Sequence, residues 1–105
     1  MADSIVSNEK MCYICGATNN LHKHHVFGGT ANRKKSEEDG CWVWLCHAHH
    51  NGSNMGVHFN KNLDNFLKQQ TEKLWIAEHF KDWIAYNEEE DGIPEFIKRF
   101  GKNYL

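Results

Sequence analysis

The chain is predicted to be α+β: a small core held together by metal as well as by apolar burial, followed by a C-terminal helical segment. Three observations predict this. All four cysteines (Cys12, Cys15, Cys41 and Cys46) and seven of the eight histidines lie between residues 12 and 58, with only His79 outside. Within that span the apolar run "CWVWLC", Cys41 to Cys46, is the strongest strand candidate, bounded upstream by the turn pair Asp39-Gly40. After residue 60 the pattern changes: Leu63, Phe66, Leu67, Leu74, Ala77, Phe80 and Ile84 recur at three- and four-residue spacing, the stripe of an amphipathic helix.

The elements follow in order. Residues 1–10 are polar and weakly patterned and read as a flexible tail. Residues 11–60, rich in Cys, His, Gly and Asn, form the metal-stabilised core. Residues 61–105 form C-terminal helices packing on that core, so the whole is a single domain. The first of these helices runs to about Asn87 and breaks at Glu88-Glu89-Glu90-Asp91-Gly92. Pro94 suits the first turn of a second short helix, "PEFIKRF", which ends at Gly101. The Trp and Phe residues of the stripe are read as core.

Composition bounds the function. With 105 residues and 40% hydrophobic content, only a modest core is possible, and domains of this size often add disulfides or a structural metal. The opening "MADSIVSNEKM" has no basic flank and apolar run of a secretory signal, and no window approaches a membrane span. A soluble, cytoplasmic protein is expected, and in a reducing compartment paired cysteines favour metal over disulfide. Twelve basic against fourteen acidic residues give a formal charge of −2, so any grip on phosphate must be local rather than a matter of bulk charge.

Cys12-x-x-Cys15 and Cys46-x-x-His49 are two knuckles whose spacing lets both members of a pair reach one ion; together they predict a structural zinc bound by three thiolates and an imidazole. Gly16 stands where the first knuckle turns. A thioredoxin-like redox pair is the competing reading, but it needs no second half-site and would sit in a βαβ context that is missing here. Cys41 is spare: it could replace His49 as the fourth ligand, or face the core from its strand.

His24, His25, His50 and His58 then remain and suggest a second site. His50 follows the last zinc ligand, so the structural metal would fix it. His58 lies beyond a Gly-Ser-Asn-Met-Gly turn that can fold it back, and "HKHHVFGG" supplies an adjacent pair. Three neutral imidazoles around one divalent ion, with a coordination position open, are a catalytic arrangement. His22, His47 and His79 are read as hydrogen-bonded or surface residues.

A cysteine knuckle, then "HHVFGG", then a strand ending "LC" followed by x-x-H-H and a further His resembles the HNH endonucleases, in particular the small phage and prophage type. In that type a "GTANR…SE…G" segment, here Gly29 to Arg33 with Ser36, Glu37 and Gly40, links the halves, and "VHFN", here Val57 to Asn60, follows. The likeness covers roughly residues 12–68. It implies a zinc-stabilised ββα-metal core: a hairpin from about Leu21 to Cys46, a helix after it, and one catalytic metal between. It also implies that His24, His50 and His58 are metal ligands and His25 the general base, although the roles of His24 and His25 could be exchanged. The chain departs from the pattern at Cys41, where the family's middle Asn, which commonly orients the base, would stand. A backbone carbonyl or another polar side chain must then orient it.

The function so implied is metal-dependent hydrolysis of DNA phosphodiester bonds, with a structural Zn2+ and a catalytic divalent ion (Mg2+, Mn2+, Ni2+ or Zn2+). A neutral histidine with a pKa of about 6.5 can take a proton from water at physiological pH. Arg33, with Lys34 and Lys35 beside it, could grip a phosphate bidentately. The expected partner is DNA, single- or double-stranded, in a bacterial host cell if phage-encoded; the C-terminal helices could add a protein partner or a homodimer surface. The alternative is a non-catalytic zinc-binding module for nucleic acid or protein.

Overall fold

A computed structural model describes residues 3–52 and 56–105. Two strands, β1 (Leu21–His25) and β2 (Trp42–Cys46), pair antiparallel in a register that sets Leu21 opposite Cys46 and His25 opposite Trp42. Their connection is not a plain hairpin loop. It holds a ten-residue helix, α1 (Thr30–Asp39), that the sequence pattern does not announce, because "TANRKKSEED" buries only Ser36 and so carries no apolar stripe. Ser36 shows why the helix sits there: its hydroxyl donates to the Phe27 carbonyl (2.9 Å) and accepts from the Phe27 N–H (3.2 Å). Gly40 ends α1 in the left-handed region (φ 75°) and returns the chain into β2.

A five-residue helix, α2 (His47–Asn51), follows β2 without a linker. The long helix α3 (Lys61–His79) is capped by Asn60, whose side chain accepts from Leu63 N–H, as a start at residue 61 requires. It stops at His79, eight residues before the expected Asn87. The buried face is also rotated from the expected one. Leu67, Thr71, Glu72, Trp75 and Ile76 are buried, with Phe80 just beyond the helix, whereas Phe66, Leu74 and fully exposed Ile84 face solvent. Apolar residues thus lie on two faces of α3, and packing chose one. Trp83 is likewise exposed rather than core.

The acidic run is an ordered reversal. Residues Glu88–Gly92 form one π-helical turn, capped by Asn87, whose side chain accepts from the N–H groups of Glu89 and Glu90. Gly92 crosses Ile76 so closely that a Cβ would collide with it. The turn leads into the last helix, α4 (Ile93–Phe100), with Pro94 in its first turn and Gly101 (φ 88°) after its end, as the sequence suggests.

Phe96 and Phe100, one turn apart on α4, pack against Phe27, the first edge-on and the second tilted, with ring centroids 5.0 and 4.7 Å away. Asp39 ties three helices together: Arg99 donates to both its oxygens (2.9 Å each) and the Trp75 indole N–H to one (3.0 Å). The expected free tail is partly tied down. Ser4 is buried and donates to the Trp42 carbonyl, and the Ile5 N–H donates to the Gly40 carbonyl (2.9 Å). Among the described residues no helix is long and apolar enough to cross a membrane.

Candidate functional site

Two clusters of metal-ligand side chains lie on either side of α2. Cys46 caps this helix and His49 stands three residues on, so both share one face; His50, one residue further, points about 100° away. On the first face Cys12, Cys15, Cys46 and His49 bring their ligand atoms within 4.8 Å of one another. Gly16, at φ 78° with its N–H on the Cys12 carbonyl (2.8 Å), makes the knuckle that the sequence suggests.

The spacing of this cluster fits a tetrahedral zinc. Bonds of about 2.3 Å to sulfur and about 2.0–2.1 Å to nitrogen require ligand–ligand edges of roughly 3.8 Å (S···S) and 3.6 Å (S···N). The Cys15–Cys46 sulfurs are 3.7 Å apart, and His49 Nδ1 lies 3.7 Å from Cys12 Sγ and 3.3 Å from Cys46 Sγ. Burial acts to raise the Cys12 thiol, but backbone N–H groups of Cys46, Cys15 and Ile14 outweigh it and bring the pKa down to about 6, favouring a thiolate. These four residues could hold a structural metal ion. Cys41 lies outside the group, fully buried, with its thiol pushed well up by burial, so it faces the core and His49 keeps the fourth position.

On the other face His24, His50 and His58 also converge within 4.8 Å. Alternation along β1 puts His22 and His24 on the strand face turned toward His50 of α2. The rings of His50 and His58 meet at 4.6 Å between centroids, with Nε2 to Nε2 at 3.0 Å. Two nitrogens about 2.1 Å from one ion would stand roughly 3.0–3.4 Å apart, so this spacing suits a shared cation. His24 Nε2 is buried and has no hydrogen-bond partner among the described residues. Burial, then the neighbouring imidazoles of His50 and His58, push His24 down to about 3. Burial, then His58, His22 and His47, push His50 down to about 4. Both are neutral at physiological pH, the state in which imidazole binds a cation.

The turn expected to fold His58 back has residues 53–55 outside the described residues. On either side of them the Gly56 N–H donates to the Gly52 carbonyl (2.9 Å) and Val57 N–H to the His49 carbonyl (2.7 Å), which returns the chain to α2.

His25 is not among the three convergent imidazoles. Its Nε2 meets Glu37 Oε1 of α1 at 2.9 Å, and Lys23 Nζ lies 3.2 Å from the other oxygen. The hydrogen bond from His25, followed by that from Lys23, lowers the Glu37 carboxyl despite some burial, so the carboxylate is ionised and His25 Nε2 carries the proton. That leaves Nδ1 with its lone pair. The side chain that orients His25 is therefore Glu37 of α1, twelve residues further along the chain. His25, His24, His50, His58, Arg33, Lys23, Gly28 and Gly29 surround one hollow of about 320 Å³. A neighbouring hollow joins it at His25 and Arg33 and is lined by Lys34 as well. Lys35 is turned elsewhere, its ammonium on the Arg99 carbonyl at the end of α4 (2.9 Å). His22, read from the sequence as a hydrogen-bonded or surface residue, is of the first kind: its Nδ1 lies 2.9 Å from His50 Nδ1.

Comparison with protein-family models, with curated proteins and with solved structures finds none that matches this chain.

Proposed function

We propose that the protein is a metal-dependent endonuclease of the HNH type, hydrolysing DNA phosphodiester bonds. The observation that carries the reading is the placement of His25, oriented by Glu37, beside three convergent imidazoles in one open hollow. A divalent cation held by His24, His50 and His58 would supply positive charge to the scissile phosphate and the leaving oxygen. His25 Nδ1 takes the proton of an attacking water while Glu37 holds the ring in the tautomer this needs and stabilises the imidazolium that results. Arg33 faces the same hollow and pairs with phosphate oxygens through its planar guanidinium. His24, whose Nε2 has no partner among the described residues and whose burial disfavours charge, suits a ligand; His25, hydrogen-bonded to a carboxylate, suits a base.

The test is nicking of supercoiled plasmid by zinc-loaded protein, with and without Mg2+, Mn2+, Ni2+ or additional Zn2+. Cleavage should require the added ion. His25→Ala should abolish it, and Glu37→Gln should lower it by about ten-fold or more, a part of the roughly 10²–10⁴-fold that a general base contributes. Both should bind the ion as tightly as wild type. Binding of DNA with no cleavage under any ion would replace this reading with that of a non-catalytic zinc-stabilised module.

A further inference from the structure

His50 presents its two ring nitrogens to two different neighbours. Nε2 faces His58 Nε2 at 3.0 Å, and Nδ1 faces His22 Nδ1 at 2.9 Å. The Asn51 side-chain amide nitrogen lies 3.2 Å from the same His50 Nδ1 and 3.5 Å from His22 Nδ1. A neutral imidazole has one N–H and one lone pair, so the proton on His50 decides which side can bind a cation. For Nε2 to offer its lone pair, the proton must sit on Nδ1, and something must accept it there.

We propose that His22 is a positioning residue, which accepts the His50 Nδ1–H and thereby holds the His50 Nε2 lone pair toward His24 and His58. The inference rests on the reading of those three histidines as a cation site. The fold puts His22 where it is needed: it shares with His24 one face of β1, and His50 packs edge-on against both, at 5.1 and 5.3 Å between ring centroids. His22 in turn meets His47, which lies one helical turn before His50, edge-on at 5.6 Å. Asn51 is the other group within reach of His50 Nδ1. As placed it offers a donor, which competes for the lone pair; only with its amide turned over would its oxygen accept the same proton.

Ligand-bound hydrogen bonds of this kind are worth about 10–100-fold in metal affinity. The experiment titrates Ni2+ calorimetrically into full-length protein already carrying one equivalent of zinc. His22→Leu should weaken Ni2+ binding by about ten-fold or more, with zinc content and thermal midpoint unchanged. His22→Asn, whose side-chain oxygen can stand near the place of Nδ1, should restore most of the affinity, and Asn51→Ala should leave it unchanged. Nitrogen NMR of the imidazoles in the zinc-loaded wild type should find the His50 proton on Nδ1. Wild-type affinity in His22→Leu would overturn the proposal, as would a His50 proton on Nε2 or a loss carried by Asn51→Ala instead. A wild type that takes up no Ni2+ beyond the zinc site would remove the cation site itself, a result distinct from a wild type that binds and a His22→Leu variant that binds equally well.

Discussion

The two faces of α2 carry ligand sets of opposite character, three residues of one helix turn serving both. Toward Cys12 and Cys15 the set is closed: four donors, three of them thiols, spaced as the edges of a tetrahedron. Toward His24 and His58 it is open: three imidazoles at the edge of a hollow of about 320 Å³, with one nitrogen buried and without a partner among the described residues. A closed tetrahedral site contributes to folding, while a site with fewer protein ligands leaves room for water or substrate. The difference teaches that an ion held by the closed set would fix the pose of one short helix and, with it, the direction of His50, the residue that follows the last member of that set.

The largest effect should come from breaking the closed set. Strong chelation of zinc, or Cys15→Ser, should unfold the chain, because the binding energy of such a site, about 10–16 kcal/mol in small zinc domains, equals or exceeds the roughly 5–15 kcal/mol stability of an ordinary domain. Circular dichroism with metal analysis measures this. A folded, zinc-free protein would show that the core stands without the ion. The His24→Ala and His58→Ala variants, by comparison, should stay folded with one zinc bound, since the open set holds no element in place.

A smaller effect separates the two sets by pH. The folded pKa of His24 is about 3, well below the ordinary histidine value near 6.5. The unfolded chain therefore binds a proton below pH 6.5 that the folded chain refuses, and stability that is complete above pH 6.5 is lost as pH falls toward 3. The slope from one such group is at most about 1.4 kcal/mol per pH unit. With one equivalent of zinc and no second ion, His24→Gln should flatten the stability profile between pH 6.5 and 4 relative to wild type, as read from denaturant midpoints. Parallel profiles would mean that burial does not hold His24 neutral. Acid loss of the zinc site acts on both proteins alike and cancels in the comparison.

The smallest effect is reserved for the cysteine that belongs to neither set. Cys41→Ser should leave zinc stoichiometry at its wild-type value and cost about 1–3 kcal/mol for a hydroxyl in a fully buried position. Loss of a zinc equivalent in that variant would return Cys41 to the ligand set in place of His49.

Within the site, legibility divides by range. The knuckle spacings, the spare Cys41 and the surplus of His24, His25, His50 and His58 are readable in the chain, because residues three apart, or side by side in one segment, declare themselves locally; that His24 and not His25 converges with His50 and His58 is decided by the fold. Glu37 is twelve residues from His25 and His22 twenty-eight from His50, and neither pairing leaves a trace in spacing. Both partners come from segments whose residue types are common on surfaces. A carboxylate on an exposed helix becomes an orienting group only when that helix folds back across the strand.

The fold divides the same way. The turn pair Asp39-Gly40 ahead of an apolar run, Pro94 in a first turn and Gly101 as a left-handed stop are consequences of local backbone chemistry, so the strand at Trp42–Cys46 and both ends of α4 follow from the sequence by itself. Only the tertiary structure decided which face of α3 is buried, where that helix stops and that α1 exists at all. Apolar residues on two sides of α3 are equally compatible with its helical period, and the choice went to Leu67, Trp75 and Ile76 because α4 and the Gly92 crossing cover that side. α1 has no apolar stripe to announce it; two hydrogen bonds between Ser36 and Phe27 and the Arg99 clasp on Asp39 hold it from outside its own sequence. Periodicity and capping act between neighbours along the chain, whereas the contacts that orient His25 and His50 exist only once distant segments have packed.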